Sequence, residues 1–182
     1  MVKRGFLMLM LAIAAAACDD NNSPTAPADP NIVVFTAQLS AANEVPPIGN
    51  EEANARGDVR ITVNLTRDAA NNITGATYNF VVNLNSFPSD STWTLAHIHE
   101  GAAGVAGGVR VNTGLSTAGG PAPIPLPNGT ISNQTFSNAT ANANLDPVAI
   151  VNSMIANPSG WYFNAHTTRN PSGAVRGQLV KQ

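Results

Sequence analysis

Apolar and polar side chains alternate strictly in one stretch of the chain, VRITVNL at residues 59–65. Successive side chains of a β-strand point to opposite faces of a sheet, so this pattern predicts a strand with one buried face and one solvated face. A second alternating stretch runs from Ala76 to Leu84, and residues 68–75 between the two suit a turn. Together these stretches predict an antiparallel hairpin, which places the chain in the all-β class.

Further strands are expected on both sides of this hairpin. They are predicted at Val33–Leu39, Thr92–His99, Val109–Val111, Ile131–Phe136, Trp161–Thr167 and Ala174–Lys181. Residues 113–129, rich in glycine and proline, are expected to form a surface loop. One short helix is predicted near residues 146–156, because Asp146 can cap it and Pro147 suits its first turn. About seven or eight strands with one late helix predict an antiparallel Greek-key β-sandwich or a flattened barrel.

The chain carries little charge. Of its 182 residues, 11% are charged, and the formal net charge is -2 at pH 7. A typical soluble domain has about 25% charged residues. No basic run stands out, so the composition provides no field that would attract nucleic acid. We therefore expect no nucleic-acid partner.

The first residues are typical of an export signal. Lys3 and Arg4 give a positively charged start, and an apolar run extends from Phe6 to Ala17. The single cysteine ends the sequence Ala15-Ala16-Ala17-Cys18, which resembles a bacterial lipobox, and we predict that Cys18 is lipidated. The alternative is cleavage by an ordinary signal peptidase after an Ala-x-Ala site, which the same alanines permit.

These features divide the chain into three parts. Residues 1–17 are a predicted lipoprotein-type signal peptide that is cleaved before Cys18, residues 18–31 a flexible tether, and residues 32–182 one domain. We therefore expect an exported protein, anchored by lipid in the cell envelope and facing the periplasm or the cell surface. One cysteine allows no disulfide within the chain, so packing alone must stabilise the domain.

All three histidines lie in two short stretches. His97 and His99 belong to AHIHEG at residues 96–101, and His166 belongs to WYFNAHT at residues 161–167. Residues two apart on a strand point to the same face, so His97 and His99 should share a face. By the same alternation that face should also carry Trp93 and Leu95.

The second stretch has its own alternation. Trp161, Phe163 and Ala165 form the more apolar set, so we expect His166 to face away from the core together with Asn164. If the two strands are neighbours, about 4.8 Å apart, the three histidines converge on one exposed face near a strand end.

Three histidines can hold one tetrahedral metal ion that keeps an open position. The candidate ligands are His97, His99 and His166, and the candidate ions are copper and zinc. Glu44, Glu100 or Asp90 could supply a carboxylate ligand or an acceptor behind the histidines. The alternative is a structural hydrogen-bond network that ties the two histidine strands together.

Five blocks of the chain resemble the chordin-type (CHRD) domain. They are FTAQL at 35–39, NEVPP at 43–47, AHIH at 96–99, WYFNAHT at 161–167 and GAVRGQL at 173–179. These separated blocks occur in the order of the family and cover roughly residues 32–181. Where Ala174 stands, the family often has an acidic residue, and where Phe163 stands, a branched one. Bacterial members resemble exported or lipid-anchored proteins, and the role of chordin as an antagonist of bone morphogenetic proteins does not carry over to them.

Glu44 and Arg176 each lie in one of these blocks, one after the first strand and one in the last. Terminal strands often lie side by side in β-sandwiches, so a buried or half-buried ion pair is predicted. The alternative is two unrelated surface charges.

The His-x-His strand is also similar to that of copper/zinc superoxide dismutases, although this resemblance is shorter. The copper site of that family needs four histidines, and this chain has three. A complete dismutase site is therefore excluded, while a related fold is not.

No motif in the sequence indicates a catalytic nucleophile. The chain has no G-x-S-x-G, and no glycine-rich loop opens a helix as a phosphate-binding loop does. We therefore predict no catalytic residues and a non-enzymatic binding or structural module that presents its loops to a protein or glycan ligand. The alternative function is copper or zinc binding by the three histidines.

Overall fold

The computed structural model describes residues 29–115 and 123–182. The predicted signal peptide, Cys18 and most of the tether lie outside these residues. In the described ranges the strands are β1 (Ile32–Ser40), β2 (Arg56–Arg67), β3 (Ile73–Asn85), β4 (Thr92–Glu100), β5 (Val109–Asn112), β6 (Ile124–Pro125), β7 (Ile131–Ala139), β8 (Trp161–Thr167), β9 (Val175–Gln178) and β10 (Val180–Lys181). One α-helix, α1 (Pro147–Ala156), separates β7 from β8, and three 3₁₀ turns lie at Ala41–Asn43, Pro127–Gly129 and Pro158–Gly160. None of the helices within the described ranges is both long enough and apolar enough to cross a membrane.

The strands form one antiparallel sheet in the order β5-β4-β8-β9-β1-β2-β3-β7, with β6 added to β4 and β10 added to β1. A single bridge between Val111 of β5 and Ala141, just beyond β7, nearly joins the two edges of this sheet. The structure is therefore a flattened, nearly closed barrel, and the predicted all-β class with one helix is confirmed.

β2 and β3 form the antiparallel hairpin that the two alternating stretches predicted. Ile61 lies opposite Phe80 and Val63 opposite Tyr78, and all four side chains are buried. The turn between the strands is shorter than predicted, because β3 already begins at Ile73. The carboxylate of Asp68 accepts hydrogen bonds from the backbone of residues 70 and 72, which closes the turn early.

Large apolar side chains fill the interior of the barrel. Phe35, Ile61, Phe80 and Phe163 come from four different strands, and each is at most 1% exposed. The rings of Phe80 and Phe163 meet across the interior, with their centroids 5.8 Å apart. Burial of one such side chain contributes about 1.5–3 kcal/mol, so this packing holds together a chain that has no internal disulfide.

The predicted helix is confirmed as α1. Asp146 accepts hydrogen bonds from the backbone N–H groups of Val148 and Ala149, and Pro147 occupies the first turn. Val151 and Met154 are fully buried, and the helix packs against β3.

An irregularity in β4 changes the direction of Trp93. The register with β8 shifts between Trp93 and Leu95, so Thr94 is an additional residue in the strand. Trp93 is fully buried, and its ring packs edge-on against Phe136 of β7 at 5.4 Å between centroids. The prediction that Trp93 shares a face with the two histidines of this strand is therefore wrong, because one additional residue reverses the alternation.

Two other expectations also need correction. Part of the predicted loop at residues 113–129 is ordered structure, since β6 pairs with the start of β4 and Leu126 is fully buried. The predicted closing strand at residues 174–181 is two strands: β9 pairs with β8, and β10 pairs with β1. The expected adjacency of the first and last strands is confirmed by these pairings.

Candidate functional site

The site lies on the outer face of the sheet, where one row of residues crosses four strands. His97 of β4 pairs with Asn164 of β8, Asn164 pairs with Arg176 of β9, and Arg176 pairs with Ser40 of β1. Residues that pair directly in an antiparallel ladder point to the same face. The side chains of His97, Asn164 and Arg176 therefore stand side by side at the end of β1.

The strand register also brings His166 to this face, because it lies two residues beyond Asn164. Nδ1 of His97 is 3.1 Å from Nε2 of His166. One ring nitrogen from each of His97, His99 and His166 can be chosen so that all three lie within 4.8 Å of one another. The three histidines thus converge as their spacing and alternation predicted.

The face is not exposed, which corrects the expectation for His166 and Asn164. His97, His99, His166 and Asn164 are 9%, 7%, 6% and 2% exposed. Two loops, residues 101–108 and 168–174, lie over the rings and contact them through backbone carbonyls. The alternation of apolar and polar residues in β8 correctly predicts which side chains face the core and which face outward. It does not show whether a loop covers the outward side chains.

The covering loops fix the orientation of two rings. Nδ1 of His99 is 3.0 Å from the carbonyl oxygen of Gly107, and Nδ1 of His166 is 3.0 Å from that of Pro171. A carbonyl only accepts, so each Nδ1 carries the proton and donates it, which leaves each Nε2 with a lone pair. Nε2 of His99 is buried and has no hydrogen-bond partner.

Glycine is required where the loop approaches His99. A Cβ on Gly107 would lie 1.6 Å from the carbonyl oxygen of Glu100, so only glycine allows the backbone to pass there. The N–H of Gly107 also donates to the hydroxyl of Tyr162 at 3.0 Å. The ring of Tyr162 stacks on His99 with a centroid distance of 4.8 Å and an angle of 10°.

Burial keeps the three imidazoles uncharged. Burial, together with the neighbouring His166 and His99, lowers the pKa of His97 to about 3. Burial also lowers the pKa of His99, against the opposing effect of the Gly107 carbonyl, and that of His166, against the Pro171 carbonyl. Neutral imidazoles are the form that binds transition metals, so protons do not compete for these nitrogens at pH 7.

The separation of the nitrogens suits a metal ion after a small adjustment. Zn–N distances of about 2.0–2.1 Å place two ligand nitrogens of a tetrahedral site about 3.4 Å apart. The 3.1 Å pair of His97 and His166 is already close to this value. Separations of up to 4.8 Å would have to close by about 1.4 Å.

The carboxylates proposed as additional ligands do not join this group. Glu100 pairs with Arg110 at 3.0 Å and Asp90 with Arg169 at 2.9 Å, both at the surface. Glu44 lies nearer, because its carboxyl is hydrogen-bonded to Asn164, but it is not part of the nitrogen cluster.

Glu44 and Arg176 are both buried beside the histidines. Burial raises the pKa of Glu44 to about 7, although Arg176 and the bond from Asn164 act in the opposite direction. Among the described ion pairs none joins Glu44 to Arg176 within 4.0 Å. Oε1 of Glu44 and Nη2 of Arg176 are both buried without a hydrogen-bond partner.

Arg176 binds the covering segments instead. Its Nε donates to the carbonyl of Asn43 at 2.6 Å, and its Nη1 donates to the carbonyl of Val105 at 3.1 Å. Its guanidinium lies 4.6 Å from the centroid of the Tyr162 ring. Arg176 thereby links the segment after β1 to the loop that covers His99.

Sequence reasoning missed Glu52, which is fully buried. Its carboxylate accepts hydrogen bonds from Ser91 at 2.6 Å, Thr167 at 2.7 Å and Asn170 at 2.6 Å. These bonds fasten the loop whose Pro171 carbonyl orients His166. Glu52 lies in an irregular segment without periodicity, so no sequence signal marked it.

Comparison with known proteins gave one family. The model of the CHRD domain matches residues 35–179 of the chain. Neither the curated proteins nor the solved structures include a significant match.

Proposed function

The chain belongs to the CHRD domain family, and we propose that it is a non-enzymatic metal-binding protein, anchored by lipid in the cell envelope. In this proposal His97, His99 and His166 hold one zinc or copper ion. One observation carries the proposal: ring nitrogens of these three buried histidines lie within 4.8 Å of one another.

The chemistry of the three nitrogens supports this choice. Imidazole is a good ligand for both zinc and copper, and carbonyl groups behind the rings orient it for binding. Here the carbonyls of Gly107 and Pro171 hold Nδ1 of His99 and His166, so each Nε2 presents a lone pair. Nε2 of His166 accepts a hydrogen bond from Nδ1 of His97, and His97 must give up this proton before the ion can bind between the two nitrogens. An ion would also satisfy Nε2 of His99, which is otherwise a buried acceptor without a partner.

We propose binding rather than turnover because of the cover over the site. Each of the three histidines is less than 10% exposed, which leaves little room for a substrate beside the ion. The bound ion would then serve storage, delivery or stability.

The proposed location follows from the beginning of the chain. Lys3 and Arg4, the apolar run that follows and the single Cys18 form a lipoprotein-type signal. Lipid at Cys18 would tether the domain to a membrane through the short segment before β1.

A second candidate function is recognition of a protein or glycan partner. A cavity of about 560 Å³ lies beside Glu44 and Arg176 and is lined by Val45, Pro47, Ala103 and Gln178 among others. Val45 and Val105, on the covering segments, are 44% and 52% exposed. Exposed apolar side chains around a largely apolar cavity with a few charged groups are typical of binding surfaces.

Elemental analysis tests the metal proposal. The chain, purified without an affinity tag, should contain about one zinc or copper per molecule, or should take up one after treatment with a chelator. An ion at 100 times its dissociation constant stabilises the folded state by about 2.7 kcal/mol, which for a domain of this size raises Tm by about 5–10 °C.

Two variants show whether the histidines hold the ion. His99→Ala should lose the stoichiometric metal and the rise in Tm, while Tyr162→Phe keeps the ring stacked on His99 and should retain both. Circular dichroism establishes that each variant is folded before metal is measured. A metal-free wild-type protein whose Tm is unchanged by either ion would overturn the proposal and leave the structural hydrogen-bond network between His97 and His166.

A further inference from the structure

A groove of about 600 Å³ lies where the described chain begins. Its floor is apolar and is formed by Ile32, Val33 and Val34 of β1, Ile73 of β3 and Ile155 of α1. β1 runs for nine residues from this groove to the row that contains Arg176, a distance of about 26 Å. The groove and the histidine site therefore lie at opposite ends of β1.

Basic side chains surround the groove. Arg60, Arg67 and Lys181 line it together with one carboxylate, that of Asp29. Neither Arg60 nor Lys181 takes part in an ion pair within residues 29–115 and 123–182. In a chain with so little charge, three basic side chains beside one acidic side chain form a locally positive surface.

Apolar side chains are also exposed at this place. Ile32, in the groove, is 44% exposed, and Val180, next to Lys181, is 56% exposed. Apolar side chains next to basic ones fit the boundary between anionic headgroups and acyl chains, where each finds its preferred surroundings.

The position of the predicted lipid anchor favours a membrane as the partner of the groove. Cys18 precedes Asp29 by eleven residues, which span at most about 36–40 Å when fully extended. Lipid at Cys18 would therefore hold the groove close to a bilayer, and the chain enters the domain through the groove itself. This step rests on the proposed lipid anchor.

We propose that the groove is the face on which the domain rests against anionic lipid headgroups. Each basic side chain near an anionic surface strengthens membrane partitioning about five-fold, so these side chains would draw this face of the tethered domain toward the bilayer. In this orientation the histidine site points away from the membrane.

Fluorescence quenching by lipid tests the orientation. The full chain, lipidated by its host, is reconstituted into vesicles of phosphatidylglycerol and phosphatidylcholine that contain a quencher attached to lipid. A polarity-sensitive dye is placed at Val180→Cys near the groove or at Val105→Cys near the histidine site, both exposed positions. Quenching at position 180 should exceed that at position 105 at least three-fold, and the difference should disappear in phosphatidylcholine alone or at high salt.

Charge reversal supplies the matched control. Arg60→Glu with Lys181→Glu should abolish the difference in quenching, whereas Arg56→Glu with Arg110→Glu, the same change of charge away from the groove, should leave it intact. Equal quenching at positions 180 and 105, or no effect of the groove variant, would overturn the proposal. Cross-linking of two chains through Val180→Cys without quenching would assign the groove to a second copy and would also overturn it.

The experiment distinguishes a failure of the lipid-anchor proposal from a failure of the groove proposal. If the protein does not float with the vesicles at high salt, the lipid anchor is absent, and added vesicles still test the groove through the quenching at position 180. If the protein floats but the two positions are quenched equally, the anchor is present and the groove assignment is wrong.

Discussion

Oε2 of Glu52 accepts a hydrogen bond from the hydroxyl of Thr167 at 2.7 Å and so joins two segments that are 115 residues apart. The other partners of this carboxylate are Ser91 and Asn170. Together they connect the segment before β2, the start of β4 and the loop after β8. The network holds in place the loop that covers His166.

Replacement of Glu52 by alanine should therefore be costly. Glu52→Ala leaves buried donors of Ser91, Thr167 and Asn170 without their acceptor, so the free energy of unfolding should fall by about 3 kcal/mol. Urea denaturation measures this change. Glu51→Ala is the control, since the side chain of Glu51 is 71% exposed and its loss should change stability by less than about 1 kcal/mol. Equal effects of the two substitutions would contradict the structural role of Glu52.

The pKa values of the histidines predict that the metal-free protein loses stability in acid. Burial places the folded-state pKa of all three below 6.5, with that of His97 at about 3. Between the folded and unfolded values the unfolded chain binds more protons, so the contribution of the histidines to stability is complete above pH 6.5 and falls as the pH decreases toward 3. Each histidine contributes a slope of about 1.4 kcal/mol per pH unit. Urea unfolding from pH 4.5 to 8 with a chelator checks the prediction, and a stability independent of pH below 6.5 would contradict it.

Glu44 should have the opposite effect. Its folded-state pKa of about 7 lies above its ordinary value of 4.5, so its contribution to stability is complete below pH 4.5 and is lost as the pH rises through 7. Glu44→Gln removes this titration, which opposes that of the histidines, so between pH 4.5 and 6.5 the stability of the variant should rise with pH more steeply than that of the wild type. The same urea series measures it. A variant with the same pH dependence as the wild type would show that Glu44 is not the group responsible.

Arg176 should not tolerate lysine. Its Nε and Nη1 reach the carbonyls of Asn43 and Val105 while the guanidinium stacks on Tyr162, and a single ammonium group cannot make all three contacts. Arg176→Lys should reduce the free energy of unfolding by about 2–3 kcal/mol in urea denaturation. Arg110→Lys, at a partly exposed pair with Glu100, should change it by less than about 0.5 kcal/mol. A loss no larger at position 176 than at position 110 would refute the prediction.

The lipid anchor makes a prediction for the whole protein. If Cys18 is lipidated, the expressed chain should enter the detergent phase on phase separation. Cys18→Ser should then release the protein to the aqueous phase or leave an uncleaved precursor, as seen by mass spectrometry. A soluble wild-type protein with a mature end elsewhere would refute lipidation.

Alternation determined which parts of the fold could be predicted from the sequence. The β2–β3 hairpin and the cap of α1 are local, so the pattern at residues 59–65 and the Asp146-Pro147 pair were sufficient to predict them. The predicted face of Trp93 was wrong because Thr94 forms a bulge, and the bulge arises from the pairing of β4 with β8. A bulge of this kind leaves no mark in a pattern of period two.

The candidate site was also predictable only in part. The shared face of His97 and His99 and its meeting with His166 follow from strand periodicity once β4 and β8 are neighbours. The burial of that face does not follow, because it depends on where the loop carbonyls of Gly107 and Pro171 lie. Glu52 is held entirely by long-range contacts, which local sequence does not encode.

The distance between the two histidine strands along the chain affects when the site can be loaded. His97 and His166 are 69 residues apart, and their nitrogens meet only after β8 has paired with β4. If the proposed signal peptide exports the chain in an unfolded state, the site is not assembled during translocation. If the site holds an ion, the ion must come from the compartment in which the barrel closes. The supply of zinc and copper outside the cytoplasm would then decide which metal the protein carries.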